Sequence, residues 1–546
     1  MRMGIPCALL ITALVVGLSV RAHAGSLTVR TEQGKVRGRA INHARVRAFL
    51  GLPYAAAPVG ELRWKAPQPP ARWKGVRDAT WFGARCLQSR ASGDMMFEDS
   101  GPSEDCLFLN VFTPAGARAR SKLPVMFWIH GGGYAGGASS EFRHNGDYLP
   151  LKGVVLVTIN YRLGVFGFLA TSNLAREANG TAGNYGLLDM VAALRWVRQN
   201  IRNFGGNPDN VTLFGESAGS FAVSTLMASA ETSGLFQKAI GESGATFTRP
   251  RFNNPLEIRE KRDDQWVASL CVKSLKELRA LPAGRLLDAA KASRTGFWPV
   301  VDGKFLTEPV PAVYAAGRQA HLPLLAGWNL DEGSFAVQHG VTPGQFRGMA
   351  DTLFRDRAAQ FLKLYPANTA QQAWRSAIDY AGDVFISLGV WKWLEAQSQS
   401  GHPADRSSSV GWKAGIPANK PSSVGWKRAD SPVYRYRFEL AAPPSRFHPG
   451  GFAFHSDEIE YVFGTLDTRP GAEWRAEDRK LSEQMMDYWT NFAKTGDPNG
   501  PGLPTWPRYD QSGWLIHLDR TVSSGPDTLH PRYEFLLKGM SALPFR

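Results

Sequence analysis

Residues Gly215-Glu216-Ser217-Ala218-Gly219 set a serine between two glycines, directly after the apolar run Val211 to Phe214 and before the small-residue stretch Ser220 to Ala230. A serine hydroxyl is a poor nucleophile at neutral pH, so chemistry at Ser217 requires both exposure and a base. A sharp strand-to-helix turn supplies the exposure, because flanking glycines leave room for a strained elbow that lifts Oγ above the sheet edge. Such a pentapeptide also occurs by chance, so its surroundings decide. After another apolar run, Val125 to Ile129, comes His130-Gly131-Gly132-Gly133-Tyr134. Backbone N–H groups of a triple glycine can approach a reacting carbonyl oxygen closely, and with the Ala218 amide they form a candidate oxyanion hole. One such donor is worth about 2.7–4 kcal/mol in the transition state. His130 reads as a prop for this loop.

The base must be a histidine downstream of the serine, with an acid between the two in chain order, as in the Ser…Asp/Glu…His arrangement. His321, His339, His402, His448, His455, His517 and His530 follow Ser217. Among them His455 stands out, in Gly450-Gly-Phe-Ala-Phe-His-Ser-Asp-Glu-Ile-Glu460, a glycine-rich loop that opens an apolar helix. For the acid, a strand over Leu322 to Ala326 runs into Gly327-Trp-Asn-Leu-Asp-Glu-Gly333. Asp331 and Glu332 both lie just past its carboxyl end, where open α/β sheets place their sites. The pattern leaves both open.

The elements that must position these residues follow from periodicity. Val125 to Ile129 and Val154 to Ile159 are continuous apolar runs of the kind buried in parallel sheets. Leu187, Val191, Leu194 and Ile201 recur at helical spacing and predict a crossover helix over about 186–200. Val211 to Phe214, Leu322 to Ala326 and Val433 to Phe438 read as further strands, and Leu481, Met485, Trp489 and Phe492 mark a long helix. Strands alternating with helices predict a doubly wound, mostly parallel α/β sheet with helices on both faces. No linker divides residues 25–546, which read as a single domain.

The totals fit a globular chain. It has 546 residues, 43% of them hydrophobic, with 17 tryptophans, which excludes collagen-like, coiled-coil and disordered classes. Arg2, the apolar core Ala8 to Val20 and Ala22-His23-Ala24 read as a secretory signal peptide over residues 1–24. That core falls short of the roughly 20 residues of a membrane span. The expectation is a secreted or periplasmic protein without a transmembrane anchor. The formal charge is +15, with basic residues scattered and no basic stripe, so nucleic acid is not an expected partner. Ser408-Ser-Val-Gly-Trp-Lys413 recurs at 422–427 within a Ser/Pro/Gly/Lys-rich stretch, 401–432, read as a flexible surface insertion. With no H-E-x-x-H motif or Cys/His cluster, neither a metal nor an organic cofactor is expected. Cys86 and Cys106 enclose 19 polar, glycine-containing residues and are the expected disulfide in an exported chain. Cys271, flanked by Trp266 to Leu270 and Val272, reads as a buried inert thiol.

Further segments sharpen this reading. They include Phe49-Leu-Gly-Leu-Pro-Tyr54 with Leu62-Arg-Trp64, Ser103-Glu-Asp-Cys-Leu-Phe-Leu-Asn110 and Asn160-Tyr-Arg-Leu-Gly164. Gly183-Asn-Tyr-Gly-Leu-Leu-Asp189, Phe204-Gly-Gly-Asn-Pro208 and His455-Ser-Asp-Glu-Ile-Glu-Tyr461 follow in order. With the serine elbow, the triple glycine and Asn329-Leu-Asp-Glu-Gly333, the chain resembles the type-B carboxylesterases. This is the α/β-hydrolase group that includes bacterial carboxylesterases, bile-salt-activated lipases and cholinesterases. The resemblance implies Ser217 as nucleophile, His455 as base and Glu332, in place of Asp331, as acid. It also implies Gly132, Gly133 and Ala218 as oxyanion donors, the Cys86–Cys106 bridge, and a small-molecule or lipid-like ester as substrate. The loop Leu87 to Asp105 lacks the choline-binding tryptophan of cholinesterases, so a seat for a quaternary ammonium is not expected.

Overall fold

The computed structural model describes residues 26–540, apart from 89–92, 249–251, 294, 338–339, 400–430 and 449. The leader 1–24 and nearly all of the 401–432 repeat, with Trp412 and Trp426, lie outside the described residues. Among the described residues, eleven strands form the main sheet. In chain order they are β1 (Arg39–Ile41), β2 (Val46–Pro53), β3 (Phe108–Pro114), β4 (Leu123–Ile129), β5 (Val155–Ile159) and β6 (Gly206–Glu216). Then come β7 (Lys238–Glu242), β8 (Leu324–Asn329), β9 (Val433–Phe438), β10 (Trp514–Leu518) and β11 (Ser523–Pro526).

Their spatial order is β11-β10-β9-β8-β7-β6-β4-β5-β3-β2-β1. Every pairing from β10 through to β5 is parallel, while β11 and the β3-β2-β1 side are antiparallel. The sheet is therefore mixed, with a parallel centre. This is the α/β-hydrolase architecture.

The apolar runs are continuous because both faces are covered. Side chains alternate along a strand, so Phe127, Ile129 and Leu213 pack on one face with Leu187, Val191 and Leu194 of helix α1 (Tyr185–Asn200). On the other face, Met126, Trp128 and Phe214 meet Leu481, Met485 and Trp489 of a long helix, Ala476–Thr495. Each such side chain contributes about 1.5–3 kcal/mol on burial. The expected strands, crossover helix and C-terminal helix all form, within a few residues of their predicted ends.

Cys86 and Cys106 are bonded, with Cα atoms 4.9 Å apart. Closing a loop of this length stabilises the fold by about 3 kcal/mol on chain-entropy grounds. The paired change of both cysteines to serine should lower unfolding free energy by that amount in urea melts, and unchanged stability would contradict it. Cys271 corrects the sequence reading, because it is exposed. The helix Leu256–Ala268 ends just before it, and Cys271 takes a left-handed turn at φ 58° that carries its side chain outward. Apolar neighbours did not reveal this, since Trp266 and Leu270 face the core and the chain turns between them and Val272.

Candidate functional site

Strand β6 ends at Glu216 and helix α2 (Ala218–Met227) begins two residues later, so Ser217 makes the turn by itself. It does so at φ 53°, ψ −119°, a conformation that costs a non-glycine residue about 1–3 kcal/mol. The Ser217 N–H donates to the Glu242 carbonyl at 2.9 Å, which ties the elbow to β7. Gly219 permits the helix to lie on β4: a Cβ there would sit 1.9 Å from the Ile129 carbonyl oxygen. The glycine loop after β4 reaches the serine itself, since a Cβ on Gly131 would stand 2.6 Å from Glu216 Oε2 and 3.1 Å from Ser217 Cβ. Gly132 and Gly133 follow in left-handed conformations, φ 96° and 66°. Ala218 is the first residue of its helix, where an N–H has no intrahelical acceptor.

His455 precedes the short helix α3 (Ile459–Phe463), as expected. Its Nε2 lies 2.9 Å from Ser217 Oγ and its Nδ1 lies 2.6 Å from Glu332 Oε2. Glu332 reaches the imidazole, and its Oε1 accepts from the Asn329 N–H at 2.9 Å. Asp331 points elsewhere, accepting the Ala453 N–H at 2.8 Å and pairing with Arg375. His130 is buried, stacked on Tyr161 at 4.5 Å, with Nδ1 2.8 Å from the Gly131 carbonyl. Burial pushes its pKa down to about 4. Among the remaining downstream histidines, His321, His517 and His530 bond to groups outside this site, and His448 stacks on Phe454. His339 and His402 lie outside the described residues.

One carboxyl to which the sequence reading gave no role lies against the imidazole, and two more interact with that carboxyl. Glu216 Oε1 is 3.3 Å from His455 Nε2. Glu242 accepts from Trp489 Nε1 at 2.7 Å, and Glu458 Oε1 accepts from Ser243 Oγ at 3.1 Å. All three are buried. Burial raises Glu216 to about 7 and Glu242 to about 8. For His455, burial lowers the pKa, but the Glu216 and Glu332 carboxylates outweigh it and leave the imidazole well above its ordinary value. The acidic motifs GESAG and HSDEIE held the signal for Glu216 and Glu458, but only their convergence in space reveals it. Since a base must be neutral to accept a proton, kcat/KM should fall as pH falls through this raised pKa. Removing one carboxylate destabilises the imidazolium, so Glu216→Gln should move the acid limb to lower pH. A limb that stays put, or moves up, counts against the assignment.

The carboxylesterase family's sequence model matches residues 25–535. The chain is 34% identical to fumonisin B1 esterase of Sphingopyxis macrogoltabida over 91% of its length and 87% of that protein. It is 34% identical to para-nitrobenzyl esterase of Bacillus subtilis over 94% and 99%. A solved structure of PNB esterase superposes with a TM-score of 0.76 at 33% identity, covering 95% of this chain and all of that one. A Geobacillus stearothermophilus carboxylesterase superposes with the same TM-score at 30% identity, over 93% and 99%.

The chain belongs to the carboxylesterase family.

As a type-B carboxylic ester hydrolase of the serine class, the enzyme needs room for an ester beside Ser217. Besides the carboxylates, aromatic rings flank the imidazole. Phe385 packs 5.2 Å from the His455 ring, and Phe335 lies 6.2 Å from it while 65% exposed. Val384 and Leu330 are also exposed nearby in sequence. Neither phenylalanine was singled out by the sequence reading, because an isolated aromatic carries no pattern of its own. Among the described residues, no helix of this esterase is long and apolar enough to cross a membrane.

Proposed function

We propose that this carboxylesterase works through a Ser217–His455–Glu332 triad and an acyl-enzyme intermediate. His455 Nε2 takes the hydroxyl proton as Ser217 Oγ attacks the ester carbonyl carbon. The tetrahedral oxyanion settles against the N–H groups of Gly132, Gly133 and Ala218. His455 then gives its proton to the departing alkoxide, the C–O bond breaks, and the alcohol leaves. Water repeats the cycle on the acyl-enzyme, releasing the carboxylic acid and restoring the serine. Glu332 holds the imidazole in the tautomer with Nδ1 protonated and stabilises the imidazolium. The observation that carries this reading is the hydrogen-bonded line from Glu332 through both ring nitrogens to Ser217 Oγ.

The substrate class is a small or lipid-like ester, and the apolar rings beside the imidazole support an apolar acyl or alcohol group. Residues 1–24 act as an export leader in this reading, and residues 25–546 are one catalytic unit working in the periplasm or outside the cell. A second reading is a bulky natural ester, supported by the likeness to fumonisin B1 esterase. Relative kcat/KM on fumonisin B1 and on para-nitrophenyl esters of increasing acyl length separates the two. The mechanism is tested by a fluorophosphonate, which should modify Ser217 and no other residue in peptide mass spectra. Labelling elsewhere, or none, overturns it.

A further inference from the structure

Asp331 joins the two loops that carry Glu332 and His455. Its N–H donates to the Ala453 carbonyl at 2.9 Å, and its Oδ2 accepts the Ala453 N–H at 2.8 Å. Its other oxygen pairs with Arg375. Arg375 stands on the helix Ala370–Gly382, and Asp379 and Asp383 follow on the same face at four-residue steps. Arg375 Nε donates to Asp379 Oδ1 at 2.8 Å. From the helix His530–Met540, Arg532 places Nη2 3.2 Å from Asp379 Oδ2 and Nε 2.9 Å from Asp383 Oδ2. Tyr365 OH donates to Asp383 Oδ2 at 2.7 Å, and the Arg532 guanidinium lies 4.3 Å from the Tyr365 ring centroid.

The result is an unbroken line of alternating charge: Asp331, Arg375, Asp379, Arg532, Asp383. One end is the residue that precedes Glu332 in the chain. The other opens a π-helical turn, Asp383–Ser387, whose Phe385 packs against the His455 ring. The helix is also pressed onto the Glu332 main chain, since a Cβ on Gly333 would stand 2.2 Å from the Ile378 carbonyl oxygen. Nothing in that contact specifies how far the helix slides along the loop. The ion pairs do, because the Arg375 guanidinium hydrogen-bonds both Asp331 and Asp379, and the Arg532 charge draws Asp379 and Asp383 together.

We propose that this five-residue ionic strut, running to the first turn of the helix His530–Met540, positions the Glu332 carboxyl and the His455 ring for catalysis. None of its members touches Ser217, so they are positioning residues, and the inference rests on the triad reading above. Displacement of a reacting group by about 1 Å can cost about 100-fold in rate.

The test uses Arg375→Ala, Arg375→Lys, Arg532→Ala and Asp331→Asn in the full chain, assayed on para-nitrophenyl acetate well below each melting temperature. The alanine variants should lose about 10- to 100-fold in kcat with KM within about threefold, and Arg375→Lys should recover part of the loss. A looser Glu332 supports the imidazolium less, so the acid limb of kcat/KM should also move to lower pH. Glu216 and Arg143, the other charges acting on the imidazole, are unchanged in these variants. In a Glu332→Gln background, removing Arg375 should cost less than about twofold more, since residues acting as a unit are not additive.

Wild-type kcat and an unmoved limb in the Arg375 and Asp331 variants overturn the strut, whatever happens to stability. So do losses that multiply in the Glu332→Gln background. If an alanine variant fails to fold, Asp331→Asn decides, because it keeps an acceptor for the Ala453 N–H while losing the ion pair. Fluorophosphonate labelling is read separately. Its absence in the wild-type enzyme counts against Ser217, while the ratio of kcat values still decides the strut.

Discussion

Ser217→Ala lowers kcat on a para-nitrophenyl ester by about 10⁶-fold, by comparison with serine proteases that lose their nucleophile. Two contributions vanish together in that variant. The acyl-enzyme route closes because no oxygen is available to attack, and His455 loses the hydroxyl it would deprotonate at 2.9 Å. The oxyanion donors stay, since they are backbone groups, so a small rate above that of water should persist. Binding should change little. Steady-state kinetics on purified variant, with a fluorophosphonate titration of active sites to exclude wild-type carry-over, measures the effect. Retention of even a hundredth of the wild-type kcat refutes Ser217 as nucleophile.

Glu332→Gln is the second large effect, about 10⁴-fold in kcat. The amide is nearly isosteric, so the fold should be undisturbed and the loss chemical. A carboxylate 2.6 Å from Nδ1 accepts that N–H and so leaves Nε2 free to take the serine proton. An amide can instead donate to Nδ1, which selects the wrong tautomer, and it offers no charge to stabilise the imidazolium. Asp331→Asn is the control. It alters a neighbouring carboxyl that contacts Ala453 and Arg375, and its cost should stop near 100-fold. If the two variants lose equal activity, the assignment of the acid fails. Their comparison is informative because the two residues are adjacent and no periodic signal separates them.

The sequence reading was strongest where chemistry restricts residue type locally. The serine elbow needs glycine at 219 because the helix backbone lies on the Ile129 carbonyl, and that demand is written in the pentapeptide itself. Five of the parallel strands were legible because burial on both faces removes polar residues from the run, whereas Lys238–Glu242, with a charged residue at each end, went unread. The antiparallel strands Val46–Pro53 and Phe108–Pro114 went unread as strands, although the segments around them matched the resemblance. Cys271 misled for a related reason. Hydrophobic neighbours predict burial only while the chain keeps one direction, and here it turns at the end of a helix.

By itself, then, the amino-acid order determined the class of fold, the nucleophile candidate and the glycine loop beside it, since each depends on contacts within a few residues. Only the tertiary structure decided that Glu216 lies against the His455 ring, and that Arg532 is tied through Asp379 and Arg375 to the loop of Asp331. Those facts depend on distances between side chains more than a hundred residues apart, which are set by strand order and helix packing. No local pattern encodes them.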